Sequence, residues 1–214
     1  MTNLFEAAGL EKGAPRPLAD RLRPTKLSEV AGQPHLVGPD GTLTRFLAAG
    51  RLPSLILWGP PGCGKTTIAR LLAHETKLEF EQLSAIFSGV AELRKAFDRA
   101  KARREQGRGT LLFIDEIHRF NRAQQDAILP HVEDGTVVLI GATTENPSFE
   151  VNSPLLSRSR VIVLEALSDA AVREVVQRAL SDAERGLGED HLTIADDALD
   201  TLVNLPNGDA RFAL

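Results

Sequence analysis

The nine residues Gly59 to Thr67, GPPGCGKTT, constrain this chain more than any other stretch, because of what flanks them. Before them runs PSLILW, a continuous apolar segment of the kind that forms a strand buried on both faces. After them, from Lys65 to Glu75, the sequence reads as helix. A strand that ends in glycine-rich backbone and turns at once into a helix aims several N–H groups at one point, beside the positive end of the helix dipole. The spacing is G-x-x-x-x-G-K-[ST], in the strand-to-helix context that a phosphate-binding loop requires. Gly59, Pro60, Pro61, Gly62, Cys63, Gly64, Lys65, Thr66 and Thr67 are therefore candidate contacts to a phosphate chain. Lys65 supplies charge to the β- and γ-phosphates, and the Thr66 hydroxyl is a candidate Mg²⁺ ligand. Cys63 occupies a variable position of the loop and reads as a small residue that fits; Trp58 reads as core.

The same alternation continues downstream. EFEQLSA, GTLLFIDE, TVVLIGAT and RVIVLEAL read as strands, and helices are expected over about Val90–Glu105 and Arg122–Val132. Strands interleaved with helices predict an α/β fold with a parallel sheet covered on both faces. LLFIDE carries Asp115 to the carboxyl end of its strand, where it can hold a metal-bound water, and places Glu116 to polarise an attacking water. An adjacent acid pair after a phosphate loop favours hydrolysis over transfer. The chain has no N-K-x-D for guanine, which excludes the GTPase reading, and the second acid argues against a small-molecule kinase. VVLIGATTENP brings Thr143, Thr144 and Asn146 to the tip of the next strand; of these Thr144 is the preferred residue to orient water and report the γ-phosphate.

From Ser168, an expected N-cap, the pattern turns all-helical: DAAVREVVQRALSDAERG places Val172, Val175, Val176, Ala179 and Leu180 on one stripe, and ADDALDTLVNL and GDARFAL follow. The expected organisation is residues 1–50 as a Pro- and Gly-rich arm with a short helix, 51–167 as the nucleotide-binding core, and 168–214 as a helical lid. The sequence ends within its last helical piece without a C-cap, so a longer parent protein is expected. Composition sets the compartment: a single cysteine excludes an internal disulfide, the histidines lack metal-site spacing, and no apolar run approaches the roughly 20 residues of a membrane span. A cytoplasmic protein is expected. The formal net charge of −4 argues against indiscriminate coating of nucleic acid and leaves room for a local basic surface.

The phosphate loop, DEIHRFN, GATTENPSF, SPLLSRSR and GDARFAL occur in that order. Together they resemble an AAA+ ATPase of the clamp-loader-related branch, and most specifically the replication-associated recombination protein A family, bacterial relatives of the Werner-helicase-interacting ATPases. The resemblance runs from about Pro17 to Leu214. It implies a P-loop NTPase with a parallel five-stranded sheet followed by a truncated helical lid, ATP and Mg²⁺ as cofactors, and a box against adenine whose candidates are Arg23, Pro24, Val30 and Ala31. It implies that Arg158 reaches into a neighbouring subunit's nucleotide as an arginine finger; serine follows it where clamp loaders have cysteine. Arg160 reads as a flanking partner or a surface charge. Arg211 of GDAR resembles the second sensor, an arginine that contacts the γ-phosphate from the lid.

The resemblance further implies a homo-oligomer, tetrameric in full-length relatives, that is nucleoid-associated. It implies action at stalled forks, with DNA gaps or ends stimulating turnover and single-strand binding protein as partner. An ATP-gated recruitment scaffold and a clamp-loader subunit are the alternatives, although the usual cysteine-rich zinc insert of the latter is absent. Candidate DNA contacts are Arg94, Lys95, Arg99, Lys101, Arg103, Arg104 and Arg108, although charge runs on helices are usually solvated faces, with Arg119 and Arg122 as rivals if subunits form a ring around DNA. No aromatic platform for unpaired bases is evident. Asn3–Phe5, NLF, faintly resembles a sliding-clamp-binding tail.

Overall fold

In a computed structural model describing residues 16–214, five parallel strands form one sheet in the order β2-β3-β4-β1-β5. They are β1 (Leu55–Trp58), β2 (Glu79–Ser84), β3 (Thr110–Asp115), β4 (Val138–Thr143) and β5 (Arg160–Val163). The NLF segment lies outside the described residues. β1 runs between β4 and β5, which is why it reads as an unbroken apolar run: Leu55, Ile56 and Leu57 are all fully buried. Trp58, at the carboxyl end of that strand, is half-buried rather than core, because the last residue of the strand leaves the covered part of the sheet.

Helices α1 (Leu18–Arg21), α2 (Pro34–Val37) and α3 (Thr42–Ala48) precede the sheet. The arm is thus more helical than the single short helix expected. α4 (Lys65–Glu75), α5 (Val90–Glu105) and α6 (Arg122–Glu133) cross between strands, and α7 (Pro147–Glu150) and α8 (Ser153–Ser157) lead into β5. Period-two alternation divides β3 between two cores. Leu111 and Phe113 face Ile68, Ala69 and Leu72 of α4, whereas Leu112 and Ile114 face Leu93, Ala96 and Phe97 of α5. The strand order carries the carboxyl ends of β3, β4 and β1 to one edge as neighbours, the position at which open α/β sheets bind ligands.

The lid comprises α9 (Asp169–Ser181), α10 (Asp196–Asn204) and α11 (Ala210–Ala213) around Val172, Val176, Leu199, Val203 and Ala213. Ser168 caps α9, its side chain accepting the Ala171 N–H. α9 ends earlier than the sequence pattern suggests because Asp182 Oδ1 takes the backbone N–H groups of Glu184 (3.1 Å) and Arg185 (2.8 Å), an Asx turn that competes with the helix. The arm is pinned between core and lid. Buried Gln33 donates to Glu165 O (2.7 Å) and accepts from Glu165 N (3.1 Å), while Arg178 donates to Glu29 O (2.9 Å).

Three of the six basic residues of α5, Arg99, Arg103 and Arg104, are bound within the chain, as is Arg108 just beyond it. Arg99 and Arg103 both bind Glu81 on the edge strand β2, Arg108 pairs with Glu79 at 3.1 Å, and Arg104 donates to Asp134 O at 3.0 Å. Arg99, Arg103 and Arg108 thus tie α5 and the loop after it to the edge strand β2, and Arg104 ties α5 to the end of α6. At Glu81, burial raises the carboxyl pKa, but the bonds from Arg99 and Arg103 outweigh it and hold the group below the ordinary 4.5. A depressed carboxylate contributes stability that is full above the unfolded value and is lost as pH falls through the folded one. Glu81→Gln should cost about 2 kcal/mol at neutral pH and flatten the acid limb below about pH 4.5 in urea titrations; an unchanged limb would mean the pair contributes nothing.

Candidate nucleotide-binding site

The loop between β1 and α4 closes through two left-handed glycines, Gly62 (φ 70°) and Gly64 (φ 104°). A side chain on Gly62 would also collide with the lid, since its Cβ would stand 1.9 Å from Asp209 Oδ1. Asp209 is the N-cap of α11, accepting from Arg211 N at 2.8 Å and Phe212 N at 3.3 Å. The lid therefore rests its last described helix on the phosphate loop. Lys65 is buried at the start of α4, its Nζ donating to Gly59 O (2.6 Å) and Pro60 O (2.7 Å). Burial lowers its pKa against the pull of the Glu116 and Asp115 carboxylates. Cys63 is buried as well, and desolvation raises its thiol pKa, which keeps it protonated and unreactive.

A cavity of about 410 Å³ opens over this loop. It collects most of the sequence-predicted site: Gly62, Cys63, Gly64, Lys65, Thr66 and Thr67 from the loop, Asp115 from β3, Arg211 from α11, and Arg23, Pro24, Val30 and Ala31 from the arm. Apolar Val30, Ala31, Leu167 and Val175 line it along with the loop, a combination of apolar and phosphate-binding chemistry suited to a nucleotide. The residues fit ATP with magnesium: open space around Gly64, a buried lysine, and a hydroxyl and a carboxylate, Thr66 and Asp115, in the same cavity lining. Gly59, Pro60 and Pro61 form the entry of the loop outside the cavity lining.

Glu116, Thr144 and Arg158 also lie outside that lining. Glu116 has left-handed backbone (φ 56°, ψ 44°), and its Oε2 stands 3.2 Å from Nε2 of His118. His118 Nδ1 is 2.9 Å from Oγ1 of buried Thr143, which accepts the Glu145 N–H at 3.0 Å and lies 3.2 Å from Glu145 O. Thr143 has one hydroxyl hydrogen. If it donates to Nδ1, the neutral ring carries its hydrogen on Nε2 and donates it to Glu116. The sequence reading named neither His118 nor the role of Thr143 in this chain of bonds; the signal was the histidine three residues after Asp115 in DEIH. Thr144 is half-buried and makes no side-chain hydrogen bond among the described residues, while Asn146 caps α7 by accepting the Ser148 N–H.

Arg158, just after α8, is half-exposed and ion-paired to Glu133 at the end of α6; its Nη1 also donates to Pro154 O and Ser157 Oγ, each at 3.0 Å. Arg160 opens β5 and is exposed.

A parallel sheet with a glycine loop, a strand-end acid pair and a helical lid closing on one cavity defines a nucleotide-binding ATPase fold. Residues 55–167 match the ATPase family associated with various cellular activities, AAA, and the chain belongs to that family. Beyond the class, the chain is 52% identical over 198 residues to replication-associated recombination protein A of Haemophilus influenzae, covering 92% of this chain and 44% of that protein. It is 43% identical to the ATPase WRNIP1 of Dictyostelium discoideum over 92% of this chain and 22% of that protein. The chain thus spans less than half the length of these relatives. Among solved structures, the RuvB Holliday junction branch migration motor of Thermotoga maritima superposes with a TM-score of 0.71 at 30% identity, over 90% of this chain and 63% of that one.

Proposed function

We propose that this chain is the ATP-binding and ATP-hydrolysing part of a replication-associated recombination protein that remodels DNA at stalled forks. The observation that carries the reading is the convergence of Gly62–Thr67, Asp115 and Arg211 on one cavity that Pro24, Val30 and Ala31 of the arm also line. Residues 51–167 form the nucleotide-binding core, 1–50 the arm on the adenine side, and 168–214 the lid.

This reading gives each residue a role. Backbone N–H groups of the loop and Lys65 hold the phosphates, and Arg23, Pro24, Val30 and Ala31 receive the base. Thr66 and Asp115 would hold magnesium, which supplies charge neutralisation at the phosphate oxygens when bound. Glu116, oriented by His118, polarises the attacking water, and Thr144 reports the γ-phosphate from the tip of β4. Arg211 couples the lid to the phosphates, and Arg158 is lent to the site of a neighbouring copy. DNA forks, gaps or ends, single-strand binding protein and a homotetramer of the whole protein are the partners this reading names, in the nucleoid-associated cytoplasm. Among the described residues no helix is long and apolar enough to cross a membrane.

Calorimetric titration with ATP tests the reading. The chain should bind one nucleotide per protomer, and Lys65→Ala should weaken it by a factor on the order of 100, the loss expected for charged hydrogen bonds worth about 3 kcal/mol. No binding by the unaltered chain would overturn the proposal.

A further inference from the structure

Thr143, fully buried at the end of β4, lies outside the cavity lining and yet is bonded to two parts of the site. Its carbonyl accepts the N–H of Gly59, the first residue of the phosphate loop, at 3.2 Å. Its hydroxyl lies 2.9 Å from Nδ1 of His118, whose Nε2 stands 3.2 Å from Oε2 of Glu116. One residue is thus tied to the loop through its backbone and to the candidate base through a ring.

The hydrogens along this chain of bonds follow from the chemistry of the groups. A carboxylate only accepts, so Nε2 has to carry a hydrogen to bond Glu116. A neutral ring with its hydrogen on Nε2 has a bare Nδ1, which only accepts, and the Thr143 hydroxyl is then the donor. The distances agree: the hydroxyl's other acceptor, Glu145 O, is farther off at 3.2 Å. The same oxygen accepts the Glu145 N–H at 3.0 Å, which fixes it at the tip of β4. The His118 side chain is only 6% exposed, so bulk water cannot take the place of Thr143 beside it.

Glu116 needs this support. Its backbone is left-handed (φ 56°), a conformation uncommon outside glycine that persists where the surroundings enforce it, often at functional sites. Its carboxylate is partly exposed, and among the described residues no second basic side chain pairs with it. A general base has to stand within hydrogen-bond reach of the water it activates, and misplacement by a fraction of that reach costs rate.

We infer that Thr143 is a positioning residue for ATP hydrolysis: by donating to Nδ1 it fixes the His118 ring, and with it the Glu116 carboxylate, against the backbone that holds the phosphate loop. The inference rests on the reading that Glu116 is the base, and it adds to that reading a residue set apart from the nucleotide.

Nitrogen–proton NMR spectra of the histidine rings in the isotope-labelled, nucleotide-free chain test the bond, with the His118 signals identified by their loss in His118→Gln. Hydrogen on Nε2 alone is expected; hydrogen on Nδ1, alone or together with Nε2, would overturn the inference. Steady-state turnover and calorimetric ATP affinity test the role. Thr143→Val keeps the size and removes the hydroxyl; it should lower kcat on the order of tenfold, the loss of one buried hydrogen bond, and leave ATP affinity within about twofold. Thr143→Ser should restore most of the rate. In a His118→Ala background, Thr143→Val should change kcat by no more than about twofold, because its path to Glu116 is gone. The same tenfold loss in both backgrounds, or no rescue by serine, would make Thr143 a structural residue only. Failure of the unaltered chain to bind ATP would overturn the proposed function instead, and the ring spectrum, which needs no nucleotide, would still decide the bond.

Discussion

Arg158→Ala should leave ATP bound as tightly as before and lower its turnover by on the order of 10³-fold or more, the effect of removing an arginine finger. Arg158 is absent from the lining of its own chain's cavity, so it cannot contribute to ATP affinity there. Its guanidinium is instead held at the surface by Glu133, Pro154 O and Ser157 Oγ. A half-exposed ion pair of this kind is worth at most about 1 kcal/mol, little enough to be exchanged for a neighbour's phosphate. Arg158→Lys should rescue poorly, because a point charge does not reproduce a planar fork of donors. Steady-state turnover and calorimetric affinity, measured together, decide the matter. A loss of turnover under about tenfold, far below the effect of a finger, would show that Arg158 is structural.

Glu116→Gln should likewise retain ATP and lose turnover by about 10² to 10⁴, the range for removal of a general base. The amide keeps the size and backbone preference of the glutamate and still accepts a hydrogen bond from His118, but it cannot take a proton from water. Its failure therefore reports chemistry rather than folding. If ATP hydrolysis drives strand remodelling, the same variant should bind DNA and leave it unremodelled. Turnover within a few-fold of the unaltered chain would reassign the base.

Much of this was legible in the sequence because backbone periodicity and loop chemistry are local. The bounds of α4 and α5 follow from glycine at one end and the loss of apolar spacing at the other, and the burial of β1 follows from three consecutive apolar residues. The phosphate loop and Asp115 were fixed by motif spacing. Tertiary contacts were not legible. Nothing in the spacing of Glu81, Arg99 and Arg103 shows that one carboxylate on an edge strand gathers two arginines from a helix. The turn at Asp182 is a side-chain competition that apolar periodicity does not register, and His118 is placed by a pairing between β3 and β4 that the sequence leaves open.

The shared site is tested most directly by co-expressing Lys65→Ala and Arg158→Ala chains and measuring ATP turnover of the mixed protein. Each variant alone lacks one half of every site, whereas a mixed assembly rebuilds complete sites from the Lys65 of one copy and the Arg158 of the next. The account predicts turnover well above that of either parent. Mixed protein that associates, binds ATP and remains as inactive as its parents would contradict it.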